Sequence, residues 1–244
     1  MPPPGGTPHS STRSPHHGHL PLVRTDAGVT LFSTWRVGTP ERQRATVDAI
    51  ARVWEREPWP TPDLLAYRTF AGEDGETIMH GSYWTDEAAY EAFAAAGRRE
   101  RVDEVDAAVP GIERVGPTRY AHYRSTGRNA SAEPVGAVVA VRIPFDGPDV
   151  ARLRAWVDGM VAVDEDADAP LPGLVQAHFH TSHDGTHALN VAEWTSVRAH
   201  VDALGSARQG SRPIHDRWRE ALDFPGIGRT SFVRYRPAWG AEAR

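Results

Sequence analysis

His80-Gly81-Ser82-Tyr83-Trp84-Thr85-Asp86 reads as a short strand that turns directly into a helix, and Asn190-Val191-Ala192-Glu193-Trp194-Thr195-Ser196 repeats it. In each copy a polar residue stands four places before a tryptophan. The period-two alternation of a strand therefore puts His80 with Trp84, and Asn190 with Trp194, on one sheet face. Thr85 and Thr195 are the expected helix N-caps, and six residues past each tryptophan comes a second polar ring, Tyr90 or His200. Each copy aims an imidazole or amide, an indole and a further polar ring at one cleft.

Outward from the first copy the pattern is βαββαβ. Val29 to Val37 alternates loosely as a strand. Thr39-Pro40-Glu41 is a helix start, with a hydroxyl cap, a proline at the first helical position and an acid at the positive dipole end. Val47, Ile50, Ala51 and Trp54 follow at helical spacing. Leu64 to Ala71 and Glu76 to Trp84 are strands joined by the hairpin signal Gly72-Glu73-Asp74-Gly75. A helix from about Asp86 to Ala95 and a charged helical piece to about Ala108 follow, and Pro110-Gly111-Ile112 opens a strand ending at Tyr123-Arg124.

The second copy gives the same order. Ala137 to Ile143 is a strand, Gly147-Pro148-Asp149 opens a helix, and Leu174 to Thr181 and His187 to Trp194 flank His183-Asp184-Gly185. Val197, Val201 and Leu204 mark a helix, and Pro225-Gly226-Ile227 opens a strand ending at Tyr235-Arg236. The copies agree at the hairpin Asp-Gly, the Trp-Thr, the Pro-Gly-Ile-x-Arg and the closing Tyr-Arg, in one order, as a duplicated unit does. The expected divisions are a disordered tail over 1–26, rich in Pro, Gly, Ser and His, a first domain over 27–125, a polar linker over 126–134, and a second domain over 135–240.

Composition narrows the chemistry. The 244 residues are 40% hydrophobic and 24% charged, as in soluble globular proteins. The formal net charge of −5 gives no basic footprint for nucleic acid. There is no apolar run of membrane-span length and no signal-peptide h-region, so no membrane partner and a cytoplasmic location are expected. The chain contains neither cysteine nor lysine, which removes thiolate nucleophiles, thiolate-bound metals, disulfides and Schiff-base chemistry. No Gly-rich phosphate loop or GxSxG is present.

Each βαββαβ unit makes a four-stranded antiparallel sheet with helices on one face. The bare faces are buried if the units pack together. The expected fold is α+β, two tandem ferredoxin-like units packed sheet to sheet as a fused dimeric α+β barrel, a monomeric pseudo-dimer or a homodimer of such chains. A cleft between sheet and helices in each half is the natural small-molecule pocket.

The strand-then-tryptophan, the capped helix and the element order resemble the antibiotic biosynthesis monooxygenase family of dimeric α+β barrels. The resemblance implies oxidation of an aromatic polyketide anthrone to a quinone by dioxygen, with no metal or organic cofactor. It also implies a pocket lined by an Asn four residues before a Trp, a Tyr six after it, and an Arg. Asn190, Trp194, Trp84 and Tyr90 match that set, while His80 takes the Asn position and His200 the Tyr position. Arg98, Arg101 and Arg217 are candidates for the Arg. On this reading His80, Tyr90, Asn190 and His200 are catalytic, and Trp84 and Trp194 bind a small aromatic substrate. His80 would be a hydrogen-bond partner or a base titrating near neutrality, Asn190 a partner for an oxyanion, and Tyr90 and His200 proton donors to a peroxide.

Two alternatives use the same cleft: a cyclase or isomerase that transfers protons without dioxygen, and a non-catalytic small-molecule or haem-binding protein. His178 and His180 share one strand face at a spacing that suits a metal, but the first copy has Arg68 and Phe70 there. They are expected to be polar residues on a hairpin rim, with no metal site. Asp164 to Asp168 lacks the glycine and closing glutamate of a calcium loop and reads as a solvated loop.

Overall fold

The computed structural model describes residues 24, 26–127, 134–165, 171–208 and 223–243. Most of the N-terminal tail with its histidines, most of the expected linker, Asp166 to Asp168 and Arg217 lie outside the described residues. The first unit runs β1 (Val29–Arg36), α1 (Pro40–Arg56), β2 (Leu64–Gly72), β3 (Thr77–Trp84), α2 (Glu87–Ala96), α3 (Arg98–Ala108) and β4 (Glu113–Thr126). The second runs β5 (Ala137–Pro144), α4 (Val150–Glu165), β6 (Leu174–Ser182), β7 (His187–Trp194), α5 (Val197–Arg208) and β8 (Ser231–Glu242).

All neighbouring strands are antiparallel, and they close into one barrel in the order β1-β3-β2-β8-β5-β7-β6-β4. Each unit keeps the ferredoxin-like order, with its last strand beside its first. The two sheets also join at their edges: β2 pairs with β8 and β4 pairs with β6, so no edge strand is left open. The sequence reading ends β4 at Tyr123-Arg124 and β8 at Tyr235-Arg236. In the structure both strands run on, to Thr126 and Glu242, and those extensions make much of the pairing between units. The start of the last strand also moves, from Pro225 to Ser231, leaving Ile227 in an isolated bridge to Phe145.

Local chemistry accounts for the joints. Thr39 caps α1 by accepting from the Arg42 amide, with Pro40 first in the helix. The residues after the two tryptophans work differently from expectation. Asp86 and Ser196, not Thr85 and Thr195, accept from the amides three places on, Ala89 at 2.8 Å and Ala199 at 3.0 Å. The strand ends at Trp84 and the helix begins at Glu87, one residue later than a threonine cap allows, and Thr85 instead bonds the Asp63 carboxylate. Gly28 and Gly136 donate their amides to the Trp84 and Trp194 carbonyls, and a Cβ at either would lie 2.1 or 2.4 Å from the next carbonyl oxygen. Only glycine permits that approach.

Alternation then sorts the side chains. Outward from the first sheet, Leu31, Ile78 and Trp84 pack on Ile50, Val53 and Trp54 of α1 and Val105 of α3. Each large buried side chain of this kind stabilises the fold by roughly 1.5–3 kcal/mol. The second unit repeats the layer with Leu153, Trp156, Val157 and Met160 of α4 against Val139, Phe179 and Trp194. Phe32, Phe70, Met79, Tyr120, Val138, Leu189, Val191 and Tyr235 fill the barrel itself. His178 and His180 share a face as alternation requires, but that face is the barrel interior rather than a hairpin rim. Both are buried, and His180 packs edge-on to Phe32 and Tyr120.

Candidate functional site

The cleft of the first unit lies between the outer face of β1, β2 and β3 and the helices α1, α2 and α3. It encloses a cavity of about 90 Å³. His80, Trp84 and Tyr90 all line it, together with Arg98 and Arg101, two of the three candidate arginines. The helix cap at Asp86 sets the start of α2, which brings Tyr90 edge-on to Trp84 with ring centroids 5.6 Å apart. Phe93, one turn on, covers the same indole at 5.2 Å. The Trp84 Nε1–H is satisfied within its own strand, donating to Ser82 Oγ at 3.0 Å.

His80 is held from two sides. Its Nδ1 lies 2.5 Å from the Tyr67 hydroxyl, and the Trp35 ring packs against it with centroids 4.1 Å apart. Its Nε2 is buried and has no hydrogen-bond partner. A buried polar atom without a partner costs roughly 1–3 kcal/mol, and His80 lines the cavity. Burial, reinforced by the positive charges of Arg114 and Arg98, pulls the His80 imidazole down to about 3. Burial also pushes the Tyr67 phenol above its ordinary value. The base titrating near neutrality is therefore corrected: at physiological pH the pair is a neutral imidazole beside a neutral phenol. In one tautomer His80 Nε2 can accept a hydrogen bond from a hydroxyl; in the other Nε2–H can donate one to an oxygen.

Sequence reasoning missed Tyr67, Trp35 and Trp54, which complete the aromatic wall. Trp54 stacks on Tyr67 at 4.3 Å, and the Arg101 guanidinium lies over Trp54 at 4.6 Å. Strand register brings the strand residues to the cleft: Tyr67 pairs with Ser82 and Ser33 pairs with His80, so their side chains share the outer face. Arg98 has no carboxylate partner among the described residues, which leaves the cleft with a positive bias.

In the second unit Trp194 and His200 also come together, with ring centroids 4.9 Å apart. His200 Nδ1 accepts from Arg234 Nε at 2.9 Å, and burial followed by the Arg234 charge pulls this imidazole down to about 4. Asn190 Oδ1 and Trp194 Nε1 are both buried without partners. Asn190 stands in register with Val141 and Phe179. Among the described residues no group of three or more His, Asp or Glu side chains is arranged to hold a metal ion. No described helix is long and apolar enough to cross a membrane.

No protein-family profile matches the chain, and no curated protein matches it in sequence. Solved structures do. An anthrone oxidase-like protein superposes with a TM-score of 0.66 at 12% identity, over 88% of this chain and 93% of its own. A candidate monooxygenase from Lactobacillus acidophilus gives 0.57 at 9% identity, over 88% and 97%. A candidate chlorite dismutase gives 0.54 at 11% identity, over 86% and 93%. The chain thus shares the fold of the anthrone oxidase-like protein and of these other neighbours, with both units in one polypeptide. The names of these neighbours span more than one activity, and at such identities what is shared is the fold.

Proposed function

We propose that the chain is a cofactor-independent monooxygenase that oxidises an aromatic polyketide-type substrate, an anthrone or related polyphenol, to a quinone in secondary-metabolite biosynthesis. The observation that carries this reading is the His80 Nε2, buried and unpartnered in a cavity walled by Trp35, Trp54, Tyr67, Trp84 and Phe93 beside Arg98. An electron-rich polyphenol supplies both electrons itself. The substrate CH2 releases a proton to water, and the carbanion passes one electron to dioxygen. The resulting radicals combine into a C–O–O bond, and the peroxide is protonated. Loss of the second C–H proton breaks the O–O bond, leaving C=O and one water.

The protein's part is to favour the anion and keep it dry. Arg98 and the His80 Nε2–H face the developing oxyanion, the indoles flank the ring, and Tyr90 is the proton donor to the peroxide. The first cleft is the working one. Asn190, Trp194 and His200 form its counterpart, in which Arg234 already occupies one nitrogen of the ring. Dioxygen is the co-substrate and the reaction calls for no metal or organic cofactor. One chain suffices, and the enzyme acts in the cytoplasm.

An oxygen electrode with dithranol as substrate tests this. The expected result is one dioxygen consumed per quinone formed, without added metal or flavin. Proton-transfer products formed without oxygen uptake would move the assignment to a cyclase or isomerase. A stoichiometric Soret band on adding haem, with no oxidation of polyphenols, would move it to haem binding.

A further inference from the structure

Two hollows meet at α3. The inner one is the 90 Å³ cavity of the first cleft. The outer one is a groove of about 400 Å³ between the loop of Pro58, Trp59 and Pro60 and the N-terminal half of α3. Arg101 lines both, and no other residue is common to the two linings. Its side chain is fastened across the opening: the guanidinium donates to the Pro58 carbonyl and lies over the Trp54 ring.

We propose that cavity and groove are one ligand site divided by the Arg101 side chain, which selects for fused polycyclic phenols over single rings. This deepens the aromatic-ligand reading of the first cleft and rests on it. Sites for small organic ligands enclose about 300–1,000 Å³. The inner cavity alone is below that range; joined to the groove, which by itself lacks His80, Trp84 and Tyr90, it falls within it. On this division a single phenolic ring would use the inner cavity with Arg101 in place, whereas a fused system needs the guanidinium to leave Trp54. The exchange is chemically matched. A planar ring takes over the indole contact that the guanidinium gives up, and the freed cation, no longer fixed to the Pro58 carbonyl, reaches a phenolate oxygen of the ligand. Glu57, Glu100 and Glu104 edge the groove and keep the displaced guanidinium beside negative charge.

The test is stopped-flow quenching of tryptophan fluorescence by 1,8-dihydroxyanthraquinone, a fused ring that needs no turnover, with resorcinol as single-ring competitor. Arg101→Met and Arg101→Gln are compared with the full wild-type chain, each checked for folding by circular dichroism. The association rate constant for the anthraquinone should rise about tenfold in both variants, since the contacts of the guanidinium no longer hold the passage shut. The resorcinol inhibition constant should stay within about twofold, a split that a merely structural role for Arg101 would not produce. Wild-type association rates in both variants, equal changes for both ligands, or no anthraquinone binding by any form would overturn the proposal. Oxygen uptake is read separately: its absence alongside the expected binding kinetics would sink the oxygenation reading and leave the divided site standing.

Discussion

In the first unit His80 shares a hydrogen bond with Tyr67 and keeps one nitrogen open to a cavity, while in the second unit the matching Asn190 faces a different set of neighbours. Strand register shows why. The positions that carry Ser33, Trp35, Tyr67 and Ser82 around the first cleft carry Val141, Ile143, Ala177 and Ala192 around the second. The same frame, with the same tryptophan and the same helix cap, holds a polar aromatic chamber on one side and an aliphatic layer on the other. Duplication preserved the backbone geometry, because the close Gly-to-Trp approach and the hairpin turns tolerate little change. The side chains facing the helices had no such constraint.

The largest expected difference between the clefts concerns their tryptophans. Trp84→Ala should lower the unfolding free energy in urea by about 3–5 kcal/mol, the usual cost of emptying an aromatic core position. Trp194→Ala should cost about 1 kcal/mol less, because Trp84 also donates a hydrogen bond to Ser82 and Trp194 donates none. Equal losses, or a larger one at Trp194, would break the ordering.

Acid sharpens the contrast from the other direction. Burial pulls His178 and His180 down to about 3, and it pulls His187 and His200 down to about 4. His80 alone carries such a shift to about 3 in the first unit. The unfolded imidazoles titrate near their ordinary value of 6.5 and bind protons that the folded ones refuse. Stability is therefore full above about pH 6.5 and falls as pH drops towards 4, by up to about 1.4 kcal/mol per pH unit for each histidine. Urea midpoints between pH 7 and 4.5 check this, and His180→Leu should remove about one such increment from the slope. A slope unchanged in that variant would mean that the barrel interior is wetter than its packing shows.

How far the sequence reached follows from range. The repeat, the hairpins and the strand-tryptophan stretch depend on residues close together in the chain, and they led to the barrel and to His80, Trp84 and Tyr90 beside one another. Tyr67, Trp35 and Trp54 were not legible, because their meeting with His80 depends on which residues of β1, β2 and α1 fall opposite it. The run of β8 beyond Arg236 was not legible, because Pro237 reads as a strand end. In the structure it pairs with Phe70 beside a register shift between β2 and β8, so the strand passes through it. His178 and His180 looked like rim residues because polar side chains beside a turn are usually exposed, whereas the second unit packs them inward.

The smallest effect sharpens the shared frame. Asp86→Ala and Ser196→Ala should each cost about 1 kcal/mol, since each removes the oxygen that caps the helix after its tryptophan. Thr85→Ala, whose hydroxyl bonds only the Asp63 carboxylate across the turn, should cost less. A larger loss at Thr85 than at Asp86 would return the cap to the threonine.

The division of labour between the clefts is tested most directly by oxygen uptake with dithranol in His80→Ala and Asn190→Ala, each measured at matched folded fractions. Removing a hydrogen-bond donor to the developing oxyanion should slow His80→Ala by roughly a hundredfold or more, while Asn190→Ala stays close to wild type. A loss confined to Asn190→Ala, with His80→Ala turning over normally, would place the chemistry in the second cleft and contradict the account.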